Sequence, residues 1–304
     1  MAYLEDNDIP LERVAVEDLT NFRNFKLTTG LNGRPSSPRV ADQSIRAFKR
    51  FWNYGIECGY FIDDGLVPIS EYEASKHGYP DDNDIALPIA EDIAAFCSNL
   101  RSPEERIASG MGYGAGMRRA EIVGLPADII LPVFEMERAS SGAVCLTLDG
   151  IRAPTKGGRR RTIEIPVLLY SQMYNYRIGP RRAQRIARTA NPPDSLLVSK
   201  YGCQYVPGWL NDVCANASSA SGITIWPHLL RHWYATRFIE YELLSRFGGS
   251  EVKAYRALQR LLGHSSLETT LRYTHIVNNE HSSKARIVSG FQQKLDVLLN
   301  SVCA

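Results

Sequence analysis

Four short segments of this 304-residue chain concentrate side chains that could work on a phosphate ester. The first is Gly116-Met117-Arg118-Arg119-Ala120-Glu121-Ile122-Val123-Gly124-Leu125, and the second is Lys156 followed by Thr162-Ile163-Glu164-Ile165-Pro166. The third is Pro227-His228-Leu229-Leu230-Arg231-His232. The fourth is Leu261-Leu262-Gly263-His264, with Thr270, Tyr273 and His275 behind it. Four of the six histidines fall in the last two segments. Breaking a phosphodiester without a metal needs a nucleophile to attack phosphorus, cations on the two non-bridging oxygens, and an acid for the leaving oxygen. Arginine suits the clamp because its permanently charged fork matches two phosphate oxygens. Chance supplies one such box easily, but not four in sequence.

Plainer readings stand beside these. Arg119 competes with Arg118 as the clamp and fits a solvated side chain as well; Glu121 fits a buttress for Arg118. His232 and His275 fit packing roles. Lys156 shares its segment with Arg159, Arg160 and Arg161, and Tyr255, with nothing reactive around it, reads as core. Gly110, Gly112 and Ala115 satisfy G-x-G-x-x-A, yet a helical pattern precedes them rather than a strand, so a dinucleotide fold is excluded. His228 and His232 have the spacing of H-E-x-x-H, but Leu229 occupies the place of the general-base glutamate, which removes the zinc-hydrolase reading.

The elements that must hold these segments follow from periodicity. Up to about residue 68 the chain reads as helical, with Val14, Leu19, Phe22 and Phe25 at near-helical spacing, then a turn-rich loop from Thr28 to Pro38. A second amphipathic stretch puts Ile45, Phe48, Trp52 and Ile56 on one stripe and Arg46, Lys49 and Arg50 on the opposite face. Residues 69–84 are polar, acidic and turn-rich, as an interdomain linker is. A helical run is expected from about 87 to 125, short strands over 130–135 and 143–148, and a hairpin over 151–166 with Lys156-Gly157-Gly158 at its turn. Helices return after that. The second domain is therefore expected to be mainly helical with a small antiparallel sheet at one edge.

Bulk properties agree with this. Of the residues, 44% are hydrophobic and 22% charged, the balance of a soluble globular protein, and no apolar run approaches the roughly 18 to 20 residues of a membrane helix. The acidic start, MAYLEDNDIP, lacks the apolar core of a signal peptide. Six cysteines without a C-x-x-C pair or regular spacing fit reduced thiols in a cytoplasm. The net charge of +2 hides an asymmetry: residues 1–110 carry 11 basic and 19 acidic side chains, and residues 111–304 carry 24 and 14. Ten basic residues fall within 152–188 against one acid, Glu164. Such a block suits a polyanion, because each neutralised phosphate releases counterions; a solvated helix face with a charged hairpin tip would look the same.

The four boxes resemble those of the tyrosine recombinase (phage integrase) family: G-x-R-x-x-E-x-x-x-L, the hairpin lysine, H-x-L-R-H, and L-G-H followed nine residues later by tyrosine. Thr270 three residues before Tyr273 and His275 two after it also fit. The resemblance covers roughly residues 86–280. It implies a mainly α fold with a small antiparallel β-sheet: a helical core-binding (SAM-like) DNA-binding domain at 1–68, either abbreviated or lacking its start, a linker at 69–85, and a catalytic domain at 86–304 ending in an oligomerisation helix. It further implies that Arg118 and Arg231 grip the scissile phosphate, that His228 assists by hydrogen bonding and proton transfer, and that His264 holds the same phosphate from the far side. Lys156 would protonate the departing 5′ oxygen, and Tyr273 would attack to form a 3′-phosphotyrosine bond. Arg46, Lys49, Arg50, Arg159, Arg160 and Arg161 become candidate DNA contacts. No metal, nucleotide or other cofactor is implied. The implied partners are duplex DNA, sister protomers in a tetramer and accessory DNA-bending proteins, in a bacterial cytoplasm, with no membrane. The implied reaction is site-specific strand exchange on a mobile element; relaxation of the type IB topoisomerase kind and a DNA-binding relative without catalysis are the alternatives. One departure is clear: the 33 positions from Arg231 to His264 exceed the family's usual spacing, the surplus lying around Tyr241 to Ala257. The apolar stripe Ile287, Phe291, Leu295 and Leu298 or Leu299 suits a short C-terminal helix that folds back onto its own domain or, as the resemblance implies, docks onto a neighbouring subunit.

Overall fold

A computed structural model describes residues 2–30, 33–60, 87–153 and 155–271. The expected linker at 69–85, Tyr273, His275 and the C-terminal stripe lie outside the described residues. The chain divides into two compact units, Met1–Asp84 and Ile85–Ala304.

In the first unit, α1 (Ala2–Asp6), α2 (Val16–Thr28) and α3 (Pro38–Glu57) enclose a small core. α3 starts where Ser37 Oγ accepts from Val40 N and Pro38 takes the first helical position, whose N–H has no helical partner to lose. Its stripe of Ile45, Phe48, Trp52 and Ile56 packs with Val14, Leu19 and Phe22. Arg46 and Arg50 are exposed and Lys49 is half-buried.

The second unit is built around α5 (Pro103–Ala115), in which every residue from Ile107 to Ala115 is buried. Two partners close on it, α7 (Val167–Ile178) and α10 (Pro227–Ser245). A side chain at Gly110 would collide with Leu169, and one at Gly112 would press on Leu230. The glycine run that imitates a nucleotide loop is thus the close-packed interior of a helix, where dispersion contacts replace side-chain volume. α5 ends at Gly116 in the left-handed conformation (φ 61°), with Tyr234 filling the space a Cβ would need.

Around this axis lie α4 (Ala90–Ser98), the one-turn α6 (Arg119–Val123), α8 (Pro180–Ile186), α9 (Trp209–Ser221), α11 (Glu251–Leu262) and α12 (Leu267–Leu271). The sheet has two antiparallel strands, β1 (Val144–Leu148) and β2 (Arg161–Ile165), with Val144 opposite Ile165 and Leu148 opposite Arg161. Val144, Leu146, Leu148, Ile163 and Ile165 point into the core, as the period of two requires.

Three expectations are corrected. No strand forms at 130–135: Val133–Glu135 is a 3-10 turn, Pro132 has no N–H to give a ladder, and side chains take the carbonyls instead, Arg177 that of Ile130 and Tyr170 that of Leu131. The hairpin is not internal to 151–166. β2 pairs with β1, and Lys156-Gly157-Gly158 form a turn within the long connection between them. Third, the basic block divides. Arg181 and Arg185 pair with the fully buried Glu104, Arg182 caps the carbonyls of Ser195 and Leu196, and Arg188 that of Lys200. Arg181, Arg182 and Arg185 staple α8 to its surroundings, and although burial pushes the Glu104 carboxyl up, Arg181 and Arg185 hold it below its ordinary pKa. The long Arg231–His264 segment is a helix hairpin, α10 and α11 joined by a short turn at 246–250, with Tyr255 in the core.

Candidate active site

The first box is organised by its glutamate. Glu121 is the third residue of α6, and its Oε2 accepts the Arg118 backbone N–H at 2.7 Å, capping the helix it stands in. Its Oε1 takes Arg118 Nη1 at 3.1 Å. The second Arg118 nitrogen, Nη2, donates to Gly263 O at 3.2 Å, 145 positions along the chain. Arg119 turns the other way, to Asn211 Oδ1 on α9 at 2.8 Å. Helical geometry therefore separates the two adjacent arginines, and only Arg118 reaches the L-G-H box.

Arg231, on the second turn of α10, is 2% exposed. Its Nη1 donates to Gly116 O, the carbonyl at the end of α5, and its Nη2 to Leu262 O at 2.6 Å. The same Nη2 lies 3.2 Å from His264 Nε2. Guanidinium nitrogens only donate, so Nε2 is the acceptor, the ring proton sits on Nδ1, and Nδ1 donates to Thr270 Oγ1 at 2.9 Å. Burial comes first and the cations Arg231, Arg118 and Arg161 follow in pushing the His264 pKa down, from 6.5 to about 3. His264 is a neutral imidazole here. Gly263 ends α11 in the left-handed conformation (φ 62°), and this turn sets Gly263 O and the His264 ring on the Arg118 side.

His228 stands exposed on the first turn of α10, its ring 4.4 Å from that of His232 and edge-on to it. Lys156, Arg159 and Arg160 are exposed on the β1–β2 connection and, with Arg118, Arg246, Arg260 and His264, line one cleft of about 870 Å³. Arg246 is also held on Glu164 of β2, at 2.8 and 2.9 Å. Six of the lining side chains just named are cations, so field lines converge on the cleft, as a polyanion site requires. Arg161 departs from expectation. Its side chain is 5% exposed, with Nη2 on Glu121 Oε2 at 2.6 Å and Nη1 on Leu261 O, so it is engaged inside the protein rather than offered to DNA. Arg246, Arg260 and Gln259, whose amide donates to His264 O at 3.3 Å, are additions the sequence did not single out. The signal for Gln259 and Arg260 was present: both directly precede the L-L-G-H box.

The structure thus brings Arg118, Arg231 and His264 to one point and Lys156 to the cleft that opens on it. Three comparisons bear on what such an arrangement is. The Phage integrase family profile matches residues 89–280. The tyrosine recombinase XerC of Staphylococcus carnosus is 25% identical over 287 residues, covering 92% of this chain and 83% of that one. XerD of Shewanella oneidensis is 24% identical over 90% of this chain and 81% of its own length. Among solved structures, a λ integrase (75–356) dimer bound to a COC′ core site matches with a TM-score of 0.59 at 14% identity, over 92% of this chain and 86% of that one. XerH bound to palindromic difH, in a post-cleavage complex, matches with a TM-score of 0.57 at 16% identity, over 87% and 67%.

Proposed function

The chain belongs to the phage integrase family, and from that premise we propose how its residues cut and rejoin DNA. As a tyrosine recombinase it is a site-specific DNA strand-transferase. In our reading Arg118 and Arg231 take the two non-bridging oxygens of the scissile phosphate and stabilise the charge that grows there. His264 holds the phosphate from the other side in the tautomer that carries its proton on Nε2: the ring nitrogen that accepts from Arg231 in the resting protein becomes the donor to phosphate, and Thr270 Oγ1 then donates to Nδ1. Tyr273 attacks phosphorus and His228 assists the departure of its proton. Lys156 gives a proton to the 5′ oxygen as the P–O5′ bond breaks. One phosphodiester becomes one 3′-phosphotyrosine ester, so bond energy is conserved, and a 5′ hydroxyl from a second strand reverses the step.

The observation that carries this reading is the meeting of Arg118, Arg231 and His264 around the carbonyls of Leu262 and Gly263, at a cleft lined by cations. The finer claims come with it: four protomers on two duplexes, a mobile element as the DNA concerned, accessory bending proteins, and action in the bacterial cytoplasm. Among the described residues no helix is long and apolar enough to cross a membrane. Arg46, Lys49 and Arg50 on α3 are the contacts we assign to the first unit.

Covalent trapping tests the proposal. Wild type and Tyr273→Phe are incubated with nicked suicide duplexes that carry candidate sites, in chelator, and resolved under denaturing conditions. A protein–DNA adduct that forms with wild type and vanishes in Tyr273→Phe is the expected result. No adduct on DNA the protein demonstrably binds would remove Tyr273 as nucleophile. Two-duplex strand-exchange assays then separate recombination from simple relaxation.

A further inference from the structure

The chemistry proposed for the boxes gives Arg161 no task, although this arginine ties together more of them than any neighbour on its strand. Arg161 opens β2, five residues after Lys156. Its two terminal nitrogens reach two other boxes: Nη2 meets Glu121 Oε2 at 2.6 Å, and Nη1 donates to Leu261 O. Its Cδ lies 2.7 Å from where a Gly263 side chain would begin, so the glycine of L-G-H leaves the room in which this arginine runs. One side chain thereby joins the strand continuing from the lysine turn, the first arginine box and the histidine box.

The carboxylate between the two arginines shows what this does. Glu121 is 1% exposed, and a buried carboxylate left short of partners is strongly destabilising, so it takes whatever donor is in reach. Its Oε2 is shared by the Arg118 backbone and Arg161, which leaves Oε1 alone for the Arg118 fork. With Arg161 gone, both oxygens would turn to the Arg118 guanidinium, which would be drawn onto the carboxylate and away from the cleft. We propose that Arg161 is a positioning residue, which divides Glu121 with Arg118 and so keeps the Arg118 guanidinium available to the scissile phosphate. The inference rests on the reading of Arg118 as a phosphate clamp.

Single-turnover cleavage of nicked duplexes by the full chain tests it, with two substrates: an ordinary scissile phosphodiester and a methylphosphonate at the same position. The methylphosphonate carries no charge and needs less cationic stabilisation, so a clamp defect is masked on it while a general structural defect is not. Arg161→Met is expected to cleave the phosphodiester about 10- to 100-fold more slowly, the scale of one missing charged hydrogen bond. The same variant should come within about threefold of wild type on the methylphosphonate, the pattern expected of Arg118→Ala. Arg161→Lys, which restores charge but cannot reach both Glu121 and Leu261 O, should recover part of the loss. Wild-type rates for Arg161→Met, or equal slowing on both substrates, would overturn the proposal. Should Arg161→Met not fold, Arg161→Lys decides by the same criterion: slowing confined to the phosphodiester supports it, and no slowing or equal slowing overturns it. If Arg118→Ala itself shows no substrate-selective defect, or wild type forms no adduct, the clamp or nucleophile reading has failed instead.

Discussion

His264 can be interrogated by protons alone. In the folded chain its Nε2 accepts from Arg231 and its pKa is pushed from 6.5 down to about 3. Protonation would set an N–H against the Arg231 N–H and add a fourth positive charge beside Arg118, Arg161 and Arg231. The unfolded chain has no such obstacle and takes up the proton near pH 6.5. Between those two values the unfolded state binds more protons than the native one, so stability rises with pH across that window. It is fully retained above about pH 6.5 and lost progressively as pH falls toward about 3. At about pH 5 the unfolded imidazole is charged and the folded one is not, a difference near 2 kcal/mol at full strength and about 1 kcal/mol after screening by solvent at a partly exposed ring. The perturbation is His264→Asn, which cannot titrate yet presents an amide toward Thr270. Urea unfolding of both proteins at about pH 7.5 and about pH 5 gives four free energies, and other titrating groups cancel in the double difference. Wild type should lose about 1 kcal/mol more than His264→Asn on acidification. Equal losses, or a larger loss in the variant, would refute the depressed pKa.

Two further outcomes follow from the site. Arg118→Ala should slow adduct formation by at least about 100-fold, as removal of a charge-stabilising donor does, while Arg119→Ala, whose partner is the exposed Asn211, should stay within about threefold by the same measure; a reversed order would exchange the two roles. Replacing Lys156, Arg159 and Arg160 together by alanine should lower the slope of log affinity against log salt by about 2 to 3, at roughly 0.9 for each phosphate no longer neutralised. Anisotropy titrations at several salt concentrations read this directly, and an unchanged slope would move the DNA path off the β1–β2 connection.

Motif and period together made most of the helices and the order of the boxes readable, because each carries information locally. The amphipathic stripe on α3, the helical run from 87 to 125 and the core assignment of Tyr255 depend only on neighbours within a few turns. What was illegible depended on distant partners. The stretch 130–135 is apolar and short enough to pass for a strand, but its carbonyls belong to Arg177 and Tyr170, some 40 residues on. Charge counting treated the ten basic residues of 152–188 as one surface. The fold uses Arg181 and Arg185 to neutralise Glu104, and leaves Lys156, Arg159 and Arg160 in the cleft. Composition cannot distinguish a cation that meets a carboxylate inside the protein from one that meets solvent. Arg161 is the sharpest case, since its neighbours in sequence are exposed and only the inward face of β2 buries it.

The carbonyls that receive these arginines belong to two helix ends. Gly116 O closes α5, and Leu261, Leu262 and Gly263 close α11, so each oxygen lies at the negative pole of a helix. On the proposed clamp reading, DNA arriving at this place competes with backbone oxygens that already accept from Arg118 and Arg231. Engagement is then an exchange of acceptors, driven because a phosphodiester carries a net charge, shared by its two non-bridging oxygens, where a carbonyl is only a dipole. A backbone seated out of register cannot complete that exchange, and the arginines stay with their helices. On that reading, the side chains that join the two helix ends in the resting protein are the same ones that answer to a correctly placed phosphate.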